Sequence, residues 1–389
     1  MTAPEAAQID DLVIEWRRAI HREPELGFAE HKTSALVERE LANAGIPSQR
    51  IAQTGVVGVL AGSRPGKTLL LRADMDALPI PERSGEPFAS IVPGVMHACG
   101  HDAHTAMLLG AARWLAARRD QIAGTIKFVF QPAEEGPGGA KPMIEAGVLV
   151  SPKVDAAVMI HVLPIIPSGV IGWRVGPMQA SADDFTIAIL GRGGHAASPQ
   201  LGVDTIPVAA ELVTSLQRIA SREVDPLAGV VVSIGTINGG YRRNVIADRT
   251  EIGGTIRCFS DELRESMPAR LRRIADGIAN AHGATVELDY AWGYPPVRND
   301  ERLTRLVAAI AQSTPGLTSV ELPAPRMGAE DFAYFAQAVP GCMLRLGVAP
   351  PGEQAPAMLH SPQFRLDESA LRSGVKIFCE LALRLPQEL

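Results

Sequence analysis

Apolar positions along the chain fall into helical stripes and short strand-like runs that alternate. Residues 6–20 carry Ile9, Leu12, Val13, Trp16 and Ile20, a spacing that predicts an amphipathic helix. The stretch HREPELGFAE reads as a turn, and residues 33–44 predict a second helix, stopped by Gly45. Residues 55–61 and 67–72 predict apolar strands. The second runs into ADMDALP, which puts Asp74 and Asp76 at its C-terminal end. Residues 106–109 open an apolar helix that continues to about residue 119. Two further apolar strands, 125–130 and 155–160, end in QPAEEGPGG and at His161. Strand after strand therefore delivers polar side chains at its C-terminal end, the edge where open α/β sheets build their sites.

The pattern changes after Gly176-Pro177. A strand at 184–190, an amphipathic helix at 204–221, strands at 229–237 and 245–259, a helix at 261–282 and a strand at 284–290 follow. That order, β-α-β-β-α-β, is the order of a ferredoxin-like α+β unit. The chain then resumes with a helix at 301–313, a strand at 342–347 and a last helix at 367–383. The expected fold class is α/β: a catalytic domain with a central, largely parallel sheet, built from 1–177 and 297–389. An inserted α+β ferredoxin-like domain occupies 178–296.

Length agrees with two domains, since 389 residues exceed one ordinary core. A net charge of -6 with scattered basic residues excludes a nucleic-acid footprint. No apolar run is long enough to span a bilayer. The first residues, MTAPEAAQIDD, do not read as a signal peptide. Four widely spaced cysteines are no disulfide framework, and they fit a reducing cytoplasm.

Chemistry concentrates in MHACGHDAH, residues 96–104. Cys99, His101, Asp102 and His104 offer thiolate, carboxylate and imidazole, the ligands of transition metals, where a loop enters a helix. The plain alternative is a buried thiol with structural histidines. The adjacent Glu134 and Glu135 end an apolar strand, a poor choice unless something cationic sits there. One could bind metal while the other serves as general base. His161 and His360 taken alone read as structural. Asp74 and Asp76 read as ligands, as carboxylates that orient ligating histidines, or as helix caps. His104 and Asp102 fit the same supporting role. GRGGH, residues 191–195, lacks the spacing of a nucleotide loop; its glycines present His195.

RRAIHREPELGFAEHKT, LRADMDALPI, MHACGHDAH, FQPAEEG, MIHVLP, GRGGHAASP, MGAEDFAYF and LHSP, in that order, resemble the amidohydrolases of the aminoacylase, hippurate hydrolase and auxin-conjugate hydrolase type. These belong to a metallopeptidase family that also holds carboxypeptidases and dipeptidases. The resemblance implies two divalent metal ions, zinc or manganese first, with cobalt or nickel admitted. It implies Cys99, His101, Glu135, His161 and His360 as ligands and Glu134 as general base. It further implies that His195, on an inserted dimerisation and lid domain, reaches the active site of the partner subunit of a homodimer. Asn244 and Arg257 match substrate contacts. Ala247 and Cys258 depart from the family's usual proline and threonine or serine. The implied substrate is a small N-acyl amino acid or a dipeptide, with no nucleic acid and no membrane partner. A carboxypeptidase or dipeptidase is the enzyme alternative, and a silent ligand-binding homologue is the alternative of another class.

Overall fold

The computed structural model describes residues 3–353 and 355–389. The chain opens with α1 (Ala3–Arg22), α2 (His31–Asn43), β1 (Ser48–Ile51), β2 (Gly55–Ala61) and β3 (Arg64–Asp74). Next come α3 (His101–Ala116), β4 (Ala123–Gln131), α4 (Ala140–Glu145), β5 (Ala156–Leu163) and β6 (Val170–Trp173). The middle of the chain holds β7 (Gly176–Gln179), β8 (Asp183–Leu190), β9 (Gly194–His195), α5 (Thr205–Leu216), β10 (Val230–Gly239), β11 (Val245–Ile246), β12 (Arg249–Cys258), α6 (Asp261–His282) and β13 (Thr285–Ala291). The last part holds β14 (Val297–Asn299), α7 (Glu301–Ser313), β15 (Thr318–Glu321), α8 (Ala333–Ala338), β16 (Gly341–Gly347) and α9 (Leu371–Glu388).

These elements form two compact units. The first takes the chain up to Gly176, Arg298–Ala324 and Tyr334–Leu389; the second takes Pro177–Val297 and Pro325–Ala333. The N–H of Ala180 donates to the carbonyls of Arg326 (3.1 Å) and Gly328 (2.9 Å), which holds 325–333 to the second unit.

The first unit is a mixed α/β layer structure. Its sheet runs β1-β2-β4-β3-β5-β16-β6-β15. The pairs β3/β4, β3/β5, β5/β16 and β6/β15 are parallel. The pairs β1/β2, β2/β4 and β6/β16 are antiparallel. The central strands β5 and β16 are buried along their whole length, as their unbroken apolar runs require. The helical stripe of α1 is buried at Ile9, Val13, Trp16 and Ile20. The core joins Ile9, Val13 and Trp16 to Leu69, Leu71, Met107, Phe128, Val158, Leu344 and Phe378.

In the second unit an antiparallel sheet runs β10-β12-β8-β13. Phe185, Ile187 and Ile189 share one face by their period of two. They form a core with Leu212 and Leu216 of α5 and Leu271 and Ala275 of α6. Asp183 is the polar hub here: it accepts from Arg264 (Nη2, 2.7 Å), Tyr290 and the N–H of Gly293.

Several elements differ from the reading of the sequence. His161 lies inside β5 rather than at its end, because pairing with β16 continues through Leu163↔Gly347. The strand predicted over 245–259 is broken: β11 pairs with β9, while β12 pairs with β10 and β8. Between them the carbonyls of Ala247 and Asp248 accept from Thr205 and Gly191 instead of from a ladder. The helix predicted over 204–221 stops as α5 at Leu216. No helix among the described residues is long and apolar enough to cross a membrane.

A buried ionic knot ties α1 to α3. Arg17 donates from Nε to Asp102 Oδ2 (3.0 Å) and from Nη1 to Glu368 (2.8 Å). His21 donates from Nδ1 to the same Asp102 oxygen (2.8 Å) and from Nε2 to Glu82 (3.1 Å). Burial alone would push His21 down; the charge of Asp102 and bonds to Asp102 and Glu82 outweigh it and raise its pKa to about 9. A base with a higher pKa folded than unfolded stabilises the fold below its unfolded value and ceases to do so above its folded value. The stability lost in His21→Gln should therefore be greatest below pH 6.5, where both states of the native protein are protonated, and should shrink as pH rises through about 9. Melting temperatures of both proteins across that window check this; a pH-independent gap would contradict a charged His21.

Candidate metal centre

The C-terminal ends of β3 and β4, the strand β5, the start of α3 and the loop that carries His360 bring the ligand-type residues of the first unit together. Asp74 closes β3 and is fully buried. Its Oδ2 accepts from Arg72 Nη1 (2.6 Å) and its Oδ1 from His104 Nδ1 (2.5 Å). Burial would raise its pKa, but His101, His104 and Arg72 outweigh that and hold it well below the usual carboxylate range. His104 spends its other nitrogen as well, accepting the N–H of Val162 at 2.9 Å. Both ring nitrogens of His104 are thus engaged, one with Asp74 and one with the backbone of Val162.

His101 is different. Its Nδ1 donates to Asp76 Oδ1 at 3.2 Å, while Nε2 is buried with no hydrogen-bond partner. Asp76 fixes the tautomer that offers Nε2 as a ligand. The second oxygen of Asp76 accepts the backbone N–H of Glu135 at 2.8 Å. His161 follows the same logic: Nδ1 donates to its neighbour's carbonyl, Val162 O (2.8 Å), and Nε2 faces Cys99 Sγ at 3.4 Å.

Local backbone geometry serves this arrangement. Gly100 has φ +86 and caps α3. A Cβ there would stand 2.5 Å from Val162 Cγ2, so both conformation and space require glycine between Cys99 and His101. His360 enters from a loop with φ +65, held by its N–H to Ala98 O (2.8 Å). Its Nε2 lies 3.0 Å from Glu135 Oε1.

The candidate ligand atoms fall into overlapping groups, each within 4.8 Å: Cys99 with His101 and His161, Cys99 with Glu135 and His360, and His101 with Glu134 and Glu135. Thiolate, imidazole and carboxylate in this mixture fit a pair of divalent transition-metal ions. The buried Nε2 of His101, without a hydrogen-bond partner among the described residues, is the atom that a metal would satisfy. Charge agrees. Burial and then the carboxylates of Glu135 and Glu134 push the Cys99 thiol well up, so only a cation would hold it as thiolate. Burial pushes His161 well down, leaving it neutral. His101 is pulled the other way: burial opposes charge, but Asp74, Asp76 and Glu135 outweigh it and lift the ring to about 10. A proton on that ring stands where a metal cation would neutralise the same carboxylates.

Asp102 turns out to be engaged with α1 through Arg17 and His21, and it supports the helix that carries His101 rather than a ligand directly. Arg72, Arg17, His21 and Glu30 escaped the sequence reading as parts of the site's frame. The signal for Arg72 was a charge inside an apolar strand, LLLRAD. The other candidates lie in the second unit. His195 on β9 pairs with Val245, and the N–H of Ala196 donates to Asn244 O (3.2 Å). Arg257 on β12 is half-buried, opposite Val231 of β10.

Residues 70–384 match the model of peptidase family M20/M25/M40. An N-acyl-L-amino acid amidohydrolase of Geobacillus stearothermophilus is 47% identical over 289 residues, 74% of this chain and 78% of that protein. Thermostable carboxypeptidase 2 of Saccharolobus solfataricus is 41% identical over 382 residues, 97% of this chain and 96% of that protein. The crystal structure of the Bacillus subtilis YXEP protein, a dinuclear metal-binding peptidase of the M20 family, superimposes with a TM-score of 0.86 at 37% identity, covering 98% of this chain and 99% of that one. The chain belongs to peptidase family M20/M25/M40 and is a metal-dependent hydrolase of that family.

Cys99 sits in two of the ligand groups. Cys99→Ser, which replaces a soft thiolate by a hydroxyl, should lower metal content and activity together. Elemental analysis of the purified variant checks this; a fully loaded, fully active Cys99→Ser protein would make Cys99 a structural thiol.

Proposed function

We propose that this enzyme hydrolyses the amide bond of N-acyl amino acids, of the hippurate or N-acetyl amino acid type, to a carboxylic acid and a free amino acid. The observation that carries this reading is the pairing of Glu134 with Glu135 on one loop, beside the Cys99, His101, His161 and His360 groups. The likeness to an N-acyl-L-amino acid amidohydrolase supports the substrate class. Cys99, His101, Glu135, His161 and His360 would hold two divalent cations, zinc or manganese by donor type, with cobalt or nickel also compatible. Such ions supply Lewis acidity at a carbonyl oxygen and lower the pKa of a water.

Glu134 acts as general base. It takes the proton of the attacking water and passes it to the leaving nitrogen. His195 donates a hydrogen bond to the developing oxyanion. Its tautomer supports this: Nδ1 accepts the N–H of Ala197 at 3.0 Å, so the neutral ring carries its proton on Nε2. Asn244 lies beside His195 through its backbone and contacts substrate. Arg257 has no side-chain partner among the described residues and pairs with the substrate carboxylate.

The second unit acts as a ferredoxin-like lid and dimerisation domain. Its β-α-β-β-α-β order and antiparallel sheet support the first part of that reading. For the second, β10 is an edge strand that among the described residues pairs only with β12 in the sheet, and Ile237 and Tyr241 near its end are exposed. An unpaired, partly apolar edge suits isologous pairing with a second copy. A cytoplasmic setting is consistent with four free, buried cysteines.

A carboxypeptidase or dipeptidase activity is the second reading, favoured by the 41% identity to a thermostable carboxypeptidase. Hydrolysis of hippurate, N-acetyl-methionine and a dipeptide series, with and without added divalent metal, separates the two. Failure on every substrate would favour a silent homologue and sink the proposal.

On the substrate that works, Glu134→Gln should keep its metal and lose turnover, because the carboxamide cannot accept the proton. Glu135→Gln should lose metal as well. Equal metal loss in both would end this division of roles. A mixture of inactive His195→Ala and inactive Glu134→Ala subunits, allowed to exchange, should regain activity. In the mixed dimer one site keeps Glu134 and receives His195 of the partner subunit. Demonstrated exchange without recovery would mean that His195 does not act across the dimer.

A further inference from the structure

The base Glu134 sits between two backbone N–H groups that are each held by a buried carboxylate from elsewhere in the chain. On one side the N–H of Ala133 donates to Glu30 Oε1 at 2.8 Å. On the other the N–H of Glu135 donates to Asp76 Oδ2 at 2.8 Å. Glu30 is wholly buried, and its second oxygen accepts from Thr54 Oγ1 at 2.5 Å. Thr54 is itself pinned, its carbonyl accepting from Ser34 Oγ at 2.5 Å.

The peptide that Glu30 holds is strained. Ala133 has φ +53, in the left-handed region, which is unfavourable for a residue with a Cβ. Gly27, three residues before Glu30, closes the other side. A Cβ there would stand 2.9 Å from both Cα and Cβ of Ala133 and 3.7 Å from Asp76 Oδ2. So the turn that follows α1 both grips and walls the loop from which Glu134 projects.

We propose that Glu30 is a positioning residue for the amide hydrolysis proposed above: its carboxylate holds Ala133 left-handed and thereby aims Glu134. It touches neither substrate nor metal in this role. A buried charge-assisted bond to a strained peptide is a device for pre-organising a catalytic group. Small misplacement of such a group can cost about a hundredfold in rate.

This inference rests on the hydrolase reading, and the experiment keeps the two apart. Kinetics on the substrate panel, metal content, melting temperature and amide hydrogen exchange over residues 131–139 are measured for wild type, Glu30→Ala, Glu30→Gln, Gly27→Ala and the double variant Glu30→Ala/Ala133→Gly. Glu30→Ala should lower kcat by about tenfold or more, with KM within about twofold and metal content unchanged. Exchange at residues 133–135 should quicken, while that of α2 and β4 stays at the wild-type rate. Glu30→Gln keeps a carbonyl oxygen for the Ala133 N–H and should stay within about threefold of wild type in kcat. Gly27→Ala should repeat the kcat loss from the other wall. The double variant should recover part of the lost kcat, because glycine adopts the left-handed conformation without help. Wild-type kcat and exchange in Glu30→Ala would overturn the proposal. So would a joint fall in melting temperature, metal content and kcat that the double variant does not relieve, since Glu30 would then be an ordinary core residue. If wild type hydrolyses nothing on the panel, the functional reading falls, and Glu30 is judged on exchange at 133–135 alone: faster in Glu30→Ala supports it, unchanged overturns it.

Discussion

One oxygen of Asp76 accepts from the ring of His101 and the other from the backbone of Glu135, so a single buried carboxylate sets two segments that carry candidate ligands at once. Neither segment is near Asp76 in sequence. The geometry works because parallel pairing of β3 with β4 and β5 brings their C-terminal ends to one edge. Asp74, two residues earlier, fixes His104, which in turn fixes the backbone of Val162 beside His161. The cost is a crowd of buried acid. Asp74, Asp76 and Glu134 are buried about His101, Glu135 is half-buried beside them, and Arg72 pairs with Asp74. A site with this balance needs further positive charge to be stable, and bound divalent cations are the chemistry that supplies it.

The first unit is organised to hold that edge still. Helix α3 carries His101 in its first turn and is buried on nearly every face. Its start is clamped from behind by Arg17 and His21 through Asp102, a contact that joins residues more than eighty positions apart. Truncating one partner of such a buried ionic knot leaves a charge without compensation, typically a loss of about 3–5 kcal/mol. The segment from Arg17 to Glu30 therefore reaches two of the segments that carry candidate ligands, α3 through Asp102 and the loop after β4 through Ala133. It also meets a third, since the N–H of Ala77 donates to Glu25 O next to Asp76.

Much of this was legible in the sequence, and for physical reasons. Candidate ligands are particular side chains, so the Cys99–His101 stretch and the Glu134-Glu135 pair stand out in the sequence, while His161 and His360 taken alone read as structural and are singled out only by the family resemblance. Buried parallel strands must be continuous apolar runs, so β4, β5 and β16 could be read from composition alone. The supporting residues could not. Glu30 and Arg17 look like ordinary surface charges in a polar turn and an amphipathic helix, and only the fold shows them buried. The break between β11 and β12 was equally hidden. It depends on where two carbonyls find donors, at Thr205 and Gly191, and those partners lie over forty residues away in sequence.

Strain at this site has a direction. Among the five described non-glycine residues with positive φ, Ala133 and His360 belong to the loops that bring Glu134, Glu135 and His360 together. Phe28 lies between Gly27, which walls Ala133, and Glu30, which bonds to it. Evolution toward stability alone would have placed glycine or asparagine at such positions. Alanine and histidine there mean that the conformations are imposed by surrounding contacts, and those contacts are specific: Glu30 on Ala133, the Ala98 carbonyl on His360. A glycine at 133 would relax the strain and also widen the range of conformations open to the glutamate that follows. The strained alanine is the narrower choice. It yields one backbone geometry as long as Glu30 holds it, and a general base needs one geometry more than it needs an unstrained neighbour.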